Sequence, residues 1–256
     1  MTFTTAELTS LVGSYIWPLF RIASMVMVAP ISGAESVSTT VRLAVALALT
    51  MVVVPLLPPA PAVDPFSYQS LMITVQEVLI GIVIGFCFQL LFGAIIMGAQ
   101  IIAMQMGLGF ATMVDPQNGA NVPVLAQLYL MMTTLLFLAL DGHLLMIDML
   151  VASFQALPVG GIGLDRDAYH QMAIWGSSLY ALGLWLSLPT LAAVLLVNIS
   201  FGIMARAAPQ LNVFSIGFPM TILFGFVVAI YTLPATYSQF QQLLQRVVEL
   251  VQRVIG

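Results

Sequence analysis

The segment 71–111 is a long apolar run in which Glu77 is the one charged side chain. As a single α-helix it would be roughly 60 Å long, about twice the thickness of a ~30 Å hydrocarbon core. The run must therefore bend, break or leave the bilayer. Asp115 is the one charge within 78–140, and none occurs within 207–245. We expect both stretches to be buried on all sides.

The composition excludes a soluble globular protein. Apolar residues make up 61% of the chain and charged residues 6%, whereas an ordinary soluble domain has about 25% charged residues. Most of the surface must therefore meet lipid or other protein. The net charge of -4 and the scattered arginines argue against nucleic acid as a partner. The one cysteine, Cys87, excludes a disulfide framework and a cysteine-rich metal site.

The hydropathy pattern predicts an all-α fold of multi-pass, membrane-protein-like helical hairpins with kinked and broken helices. Residues 1–20 lack the basic region of a secretory signal, so the first segment is expected to be retained. Several apolar runs exceed the ~20 residues of one crossing. The runs are 11–34, 41–57, 71–111, 122–157, 172–204 and 211–237.

Turn-forming residues divide the runs. The prolines within 55–65 predict a stiff, extended segment after the second run. The Asp-Pro, Asn-Gly and Asn-Val-Pro steps of 109–123 predict an irregular loop between two apolar helices. The Gly-rich and charged stretch 157–167 is the most polar loop and the best candidate for a domain boundary. Two long helical runs follow it as an αα-hairpin.

The C-terminal tail is amphipathic. Its apolar residues recur at helical spacing, and Gln, Arg and Glu occupy the other face. We expect a helix that lies at an interface, on lipid or on a partner, in preference to one that spans. The apolar face consists of Phe240, Leu243, Leu244, Val247, Val251 and Val254.

Small and amide side chains in the third run predict close helix contacts. Gly81 and Gly85 form a G-x-x-x-G step, and Gln89 and Gln100 lie about 20° apart on a helical wheel. These four residues are candidates for packing between subunits. Ordinary helix packing in a membrane and the lining of a conduit remain open as alternatives.

Charged groups within apolar runs are candidates for function. Arg21 and Glu77 are expected to pair. Asp141 and His143 flank Gly142, and this Asp-Gly-His step fits either a proton relay or a helix break where the polar residues reach water. No metal-ligand spacing, nucleophile motif or phosphate loop occurs in the sequence. We therefore expect no enzyme activity, no metal and no cofactor.

Methionines lead into the 109–123 loop. Thioether side chains are flexible and polarizable, so they suit a seal that reshapes around different guests. An uncharged constriction also blocks ions by dewetting. Packing of an irregular core explains the same pattern equally well. The residues are Met97, Met104, Met106 and Met113, with Phe110 and Val114 beside them.

Three stretches resemble one known family. GLGFATMVDPQNGANVPVL at 107–125, LDGHLLMIDMLVASFQALPVG at 140–160 and ARAAPQLNVFSIGFPMTI at 205–222 resemble the flagellar biosynthetic protein FliR family. The likeness covers nearly the whole chain, although residues 1–100 match mainly in pattern. The injectisome relatives share the architecture, but the wording of these stretches is closer to the flagellar proteins.

The resemblance implies a subunit of the flagellar type III secretion export gate, in the bacterial inner membrane at the basal body. In that family one FliR subunit joins several FliP and FliQ subunits in a hetero-oligomer. The resemblance therefore implies FliP-like and FliQ-like partners for a single copy of this chain. FlhB and FlhA belong to the same machine, and unfolded flagellar proteins are its substrates. Residues 1–170 would be the FliP-like part, and residues 171–256 the FliQ-like hairpin with its amphipathic end.

By the same resemblance, residues 106–122 correspond to a plug that closes the central channel. Glycines at 107, 109 and 119 would let the loop swing without strain. The candidate plug and gasket residues are Met104, Met106, Gly107, Gly109, Phe110, Met113, Val114, Asp115 and Pro116.

Two other functions remain open on the sequence. A small-solute secondary transporter would use Glu77, Asp141 and His143 as coupling groups near the midplane. It would also predict two similar halves, and 1–170 and 171–256 differ in length and pattern. A structural scaffold would nucleate the assembly without lining the path.

Overall fold

Seven α-helices and one two-stranded hairpin form the protein in a computed structural model that describes residues 5–58, 60–64, 66–115, 117, 119–207 and 213–256. The predicted all-α fold is confirmed. The helices are α1 (Thr5–Val28), α2 (Thr39–Val53), α3 (Tyr68–Gln105), α4 (Val124–Ala139), α5 (Gly142–Ala156), α6 (Arg166–Ala207) and α7 (Val213–Ile255). The strands are β1 (Thr112–Val114) and β2 (Asn121–Pro123).

Among the described residues, four helices are long and apolar enough to cross a membrane. They are α2 with its 3-10 extension, α3, α6 and α7. The bent pair of α4 and α5 adds a fifth candidate span. Helix α3 is 38 residues long without interruption, which is roughly 57 Å of helix. The run is thus helical without interruption as far as Gln105, and this helix alone is longer than one hydrocarbon core is thick.

Local sequence sets the helix ends in the first third of the chain. The hydroxyl of Ser38 accepts a hydrogen bond from the Val41 amide at 3.4 Å and caps α2. A 3-10 turn, Val54–Leu56, holds Pro55 near its start, where the missing amide hydrogen is not needed. The described residues from there to α3 are non-helical, and Leu57 has an extended backbone; the stiff, extended character of the rest of the segment stays a prediction. Pro59 and Pro65 lie outside the described residues.

A break at Gly142 separates α4 from α5. Asp141 has φ +55°, in the left-handed region, and the two helices meet at 63°. The Asp141 side chain is exposed and His143 is partly buried. The predicted helix break is therefore present, but His143 Nδ1 is buried without a hydrogen-bond partner among the described residues, so Asp141 is the exposed member of the polar pair.

The C-terminal tail is not a separate helix. Helix α7 continues through Pro219 and Pro234 to Ile255. Each proline removes one backbone hydrogen bond, and the rest of the ladder holds in apolar surroundings. The tail's apolar residues, among them Phe240, Val247 and Val251, are buried within the protein. The prediction that this face lies free on lipid or on a partner is therefore wrong, because the chain itself covers it.

The chain forms two compact units. The first contains Met1–Leu90, Asp141–Trp175 and Leu244–Gly256, and the second contains Leu91–Leu140 and Gly176–Leu243. These units are defined by contacts within the chain. The predicted division into a FliP-like part, 1–170, and a FliQ-like part, 171–256, rests instead on resemblance to two other proteins, and it stays a prediction.

Different contacts hold each unit together. In the first, α1 packs against α2 and α3, and Trp17 lies in an apolar cluster with Ala60, Val63 and Ile73. In the second, the rings of Phe92 and Phe137 meet edge to face with centroids 5.5 Å apart.

Candidate channel plug and the buried ion pair

The plug segment begins where α3 ends. Gly107 follows the last turn with φ +80°, a left-handed conformation that favours glycine. A short 3-10 turn, Leu108–Phe110, then leads into β1. Gly119 also has a left-handed backbone, with φ +65°, whereas Gly109 does not. A backbone reason for glycine therefore exists at two of the three positions.

The segment predicted as an irregular loop is a β-hairpin. Thr112 pairs with Pro123, Met113 with Val122, and Val114 with Asn121 in antiparallel register. Beyond these pairs, the Val124 amide donates to the Ala111 carbonyl at 2.9 Å. The prediction was wrong because the strands are only three residues long, too short to show an alternating pattern. The Asn-Gly turn signal between them was the available hint.

Asp115 organises the tip of the hairpin. Its side chain is 2% exposed, and its Oδ1 accepts a hydrogen bond from the Gln117 amide at 2.8 Å. Its own amide donates to the Ala120 carbonyl at 2.8 Å, and the Gly119 amide donates to the Asp115 carbonyl at 2.9 Å. The one carboxylate of the plug is thus enclosed by its own turn. Pro116 lies outside the described residues.

Four of the predicted plug residues expose apolar side chains. Phe110 is fully exposed, and Met104, Met113 and Val114 are exposed to 71%, 42% and 62%. Met106 differs, because it is fully buried. Exposed apolar groups carry no charge to hold water, so a constriction lined by them would dewet and exclude ions. The role of all these residues in a plug stays a prediction at this point.

The G-x-x-x-G step serves a contact inside the chain. A Cβ at Gly81 would collide with the Arg21 carbonyl and the Ser24 hydroxyl, and a Cβ at Gly85 would lie 2.9 Å from the Met25 carbonyl. These glycines therefore let α3 approach α1 closely. Their predicted role between subunits gains no support from this contact and stays a prediction.

Gln89 and Gln100, the other two candidates for packing between subunits, are half-buried on α3. The Oε1 atom of Gln89 is itself buried and has no hydrogen-bond partner within the described part of the chain. Their participation in such a contact stays a prediction.

Arg21 and Glu77 form the predicted ion pair. Arg21 Nε donates to one carboxylate oxygen at 2.7 Å, and Nη2 donates to the other at 3.0 Å. Both side chains are buried, at 0% and 2% exposure. This two-point geometry matches the planar fork of guanidinium to carboxylate and is the strongest form of such a pair.

Further partners complete the Arg21 site. Nη1 donates to the Ser153 hydroxyl at 3.1 Å, Nη2 donates to the Leu157 carbonyl at 2.8 Å, and the guanidinium lies 4.1 Å from the centre of the Phe154 ring. Sequence reasoning missed these three because serine and phenylalanine in an apolar helix carry no distinguishing signal. The site joins α1, α3 and the end of α5 without an unpaired buried charge.

The two regions offer different chemistry. The ion pair is saturated by its own partners, and the plug presents apolar side chains. Among the described residues, no three His, Cys, Asp or Glu side chains lie together in a way that could hold a metal ion. What the exposed hairpin offers chemically is an adaptable apolar surface.

Known proteins resemble the chain over almost its whole length. Residues 12–247 match the family described as bacterial export proteins, family 1. The chain is 38% identical over 253 residues to the flagellar biosynthetic protein FliR of Escherichia coli (strain K12), covering 99% of this chain and 97% of that protein. It is 32% identical to FliR of Pectobacterium carotovorum subsp. carotovorum, covering 100% and 97%.

A more distant relative extends the match. FliR of Bacillus subtilis (strain 168) is 25% identical over 247 residues and covers 95% of each chain. The family match runs from within α1 to within α7 and includes the hairpin between them. The chain therefore belongs to the bacterial export proteins, family 1, the family of the flagellar biosynthetic proteins FliR.

Proposed function

We propose that the chain is a subunit of the flagellar type III export gate, which helps form the central channel and seals it with residues 106–122. The observation that carries the plug assignment is the hairpin itself. Met113 and Val114 on β1 are exposed, as is Phe110 in the 3-10 turn before it, while the one carboxylate, Asp115, is enclosed by the turn. Such a segment fills a bore with apolar groups and brings no exposed charge into it.

Sealing and passage follow from the same surface. In the closed state the apolar side chains exclude water and ions from the bore. An unfolded substrate displaces the hairpin, and flexible thioethers adapt to the varied side chains that pass. Because such a seal makes few demands on sequence, many exported proteins can use one channel.

The uncovered surface of the long C-terminal helices supports the proposal that partner subunits bind there. Large apolar side chains on α6 and α7, such as Leu196, Phe224 and Tyr231, are exposed in the single chain. We assign their cover to FliP-like and FliQ-like subunits in the inner membrane at the basal body. FlhB and FlhA complete the machine, and unfolded flagellar proteins are its cargo. No cofactor or catalytic step is required.

Excision of the hairpin tests the plug. The Val124 amide contacts the Ala111 carbonyl, so residues 112–123 can be replaced by Gly-Ser without separating α3 from α4. In assembled complexes in membrane vesicles, we expect ion leak to rise well above that of the wild type. The measurement is dissipation of an imposed ion gradient.

A matched variant keeps the hairpin and changes only exposed apolar side chains on β1 and in the 3-10 turn before it. The triple substitution Phe110→Ser, Met113→Thr and Val114→Thr retains the register and should also leak, although less. The complex must contain its normal complement of partner subunits in both cases. Wild-type tightness of the excised variant in intact complexes would overturn the plug assignment.

The alternative of a small-solute transporter is not favoured. The relatives are flagellar biosynthetic proteins and the family is one of export proteins. Both carboxylate oxygens of Glu77, the first of the proposed coupling groups, are bonded to Arg21. Crosslinking distinguishes a channel subunit from a scaffold that never lines the path. A channel subunit should crosslink from Phe110 or Met113 to a stalled substrate, and a scaffold should not.

A further inference from the structure

Helix α7 contacts the root of the plug at Met106. The Met106 side chain is fully buried, and it fills the space that a side chain at Gly225 would need. A Cβ at Gly225 would lie 2.6 to 2.7 Å from the Cγ, Sδ and Cε atoms of Met106. The methionine is thus held in a notch in α7 that only glycine leaves open.

A second contact holds the next residue. A Cβ on Gly107 would lie 2.7 Å from Cε2 of Phe218, so the phenyl ring rests against the backbone at the point where α3 gives way to the plug. Phe218 and Gly225 lie two turns apart on the same helix. They contact Met106 and Gly107, the two residues that any swing of the hairpin must move.

A cavity of about 410 Å³ adjoins this contact. Its walls include Gly107, Phe218, Asn198 and Gly202. An engineered cavity of about 150 Å³ is large enough to bind benzene, so this one has room for a phenyl ring. Phe218 is itself 56% exposed, and it is therefore not enclosed where it stands.

We propose that Phe218 and Gly225 form a seat for the plug root, and that Phe218 is a latch whose rotation into the adjoining cavity frees Gly107 and releases the hairpin. The inference rests on the plug function proposed above and adds positioning residues to it. It also gives a role to the 205–222 stretch, which the plug itself leaves unexplained. The latch side chain belongs to that stretch, and so do Ala205, Gly217 and Thr221 of the cavity wall.

The test measures how often the hairpin leaves its closed position in the assembled gate. Ala120→Cys places a reporter thiol on the exposed hairpin, and the chain's own Cys87 is buried. Alkylation by a membrane-impermeant maleimide then reports opening. Phe218→Ala should raise the alkylation rate about tenfold, because packing of a phenylalanine side chain over about half of its surface is worth roughly that change in an equilibrium constant. Ion leak should rise in parallel.

Phe226→Ala is the matched control. Phe226 is a half-exposed phenylalanine on the same helix, and its loss should leave alkylation and leak at the wild-type level. Equal effects of Phe218→Ala and Phe226→Ala would overturn the seat. A leaking hairpin-excision variant beside a tight Phe218→Ala variant would overturn the seat and leave the plug standing. A tight excision variant would overturn both.

A volume swap keeps the test decisive if Phe218→Ala fails to assemble. Gly225→Val fills the notch, Met106→Ala removes the side chain that occupied it, and the double variant conserves volume. Each single variant should open the plug more often, and the double variant should return toward wild type. Additive effects of the two substitutions would overturn the contact as the seat.

The latch movement has its own variant. A Cβ on Gly202 would meet no other heavy atom within 4 Å, because Gly202 faces the cavity. Gly202→Leu fills the space that the ring must enter, and leucine is also a better helix former. Alkylation of the reporter and export of substrate should both fall severalfold while the complex stays tight. Unchanged export would overturn the latch.

Discussion

Helices α3 and α6 are both long and apolar, yet the rest of the chain buries α3 far more than α6. In the most apolar window of α3, 67% of the residues are buried within the protein, whereas the corresponding share is 11% in α6 and 17% in α7. The expectation that both charge-free stretches are buried on all sides is thus largely right for α3. For α7 it is wrong within the single chain.

The difference shows that hydropathy alone does not say what covers an apolar helix. Helix α3 has glycines at the contact with α1 and a carboxylate that meets an arginine, which are features of an interior. Helix α7 exposes large side chains such as Phe224, Ile230 and Tyr231. Their cover must come from lipid or from other subunits.

Removal of Glu77 should break the interior of the first unit most severely. Glu77→Ala leaves the buried Arg21 guanidinium without its counter-ion, and truncation of one partner of a buried pair costs about 3–5 kcal/mol. We expect loss of full-length protein from membranes and a much lower melting temperature of the purified assembly. Arg21→Met with Glu77→Leu should recover most of the loss, and a mild Glu77→Ala phenotype would contradict this account.

A smaller effect is expected from closing the gap between α1 and α3. Gly81→Ala adds a Cβ that collides with the Arg21 carbonyl and the Ser24 hydroxyl, and overpacking of this kind costs about 1–3 kcal/mol. Gly176→Ala on α6 is the matched control, because a Cβ there meets nothing within 4 Å. It should be neutral or stabilising by up to ~1 kcal/mol in thermal unfolding. Equal melting temperatures for the two variants would contradict the difference in packing between α3 and α6.

The smallest effect on the chain itself should come from the exposed faces. Tyr231→Ala and Leu196→Ala remove side chains that are 82% and 66% exposed, and surface substitutions usually change the free energy of unfolding by less than ~0.5 kcal/mol. Copurification of FliP-like and FliQ-like subunits should nevertheless fall. Normal recovery of both partners would show that lipid covers these faces.

The features that the sequence predicted well are those with rare residues. Arg21 and Glu77 are charged residues inside apolar runs. Burial of an unpaired charge carries a large desolvation cost, so these two side chains are expected to pair with each other. Gly142 follows an aspartate between two apolar helices, and the chain breaks there. In each case the cost of one rare group decides the local structure.

Patterns that depend on distant packing were less predictable. The sequence pattern predicts the apolar run 211–237 and the amphipathic tail as separate segments, but one helix, α7, continues through both. Met106 shares its chemistry with Met104 and Met113, and only the opposing Gly225 explains its burial. Residue type alone could not separate these methionines, since the distinction lies in what faces them.

The Arg21 site also constrains how the protein is made. Arg21 precedes Glu77 by 56 residues and Ser153 by 132, so at about 5–20 residues per second the arginine waits roughly 3 to 11 s for its carboxylate. During that interval the guanidinium lacks its buried counter-ion, and an unpaired charge in apolar surroundings is costly. The packing of α1 against α3 is therefore completed only after the third helix has been synthesised.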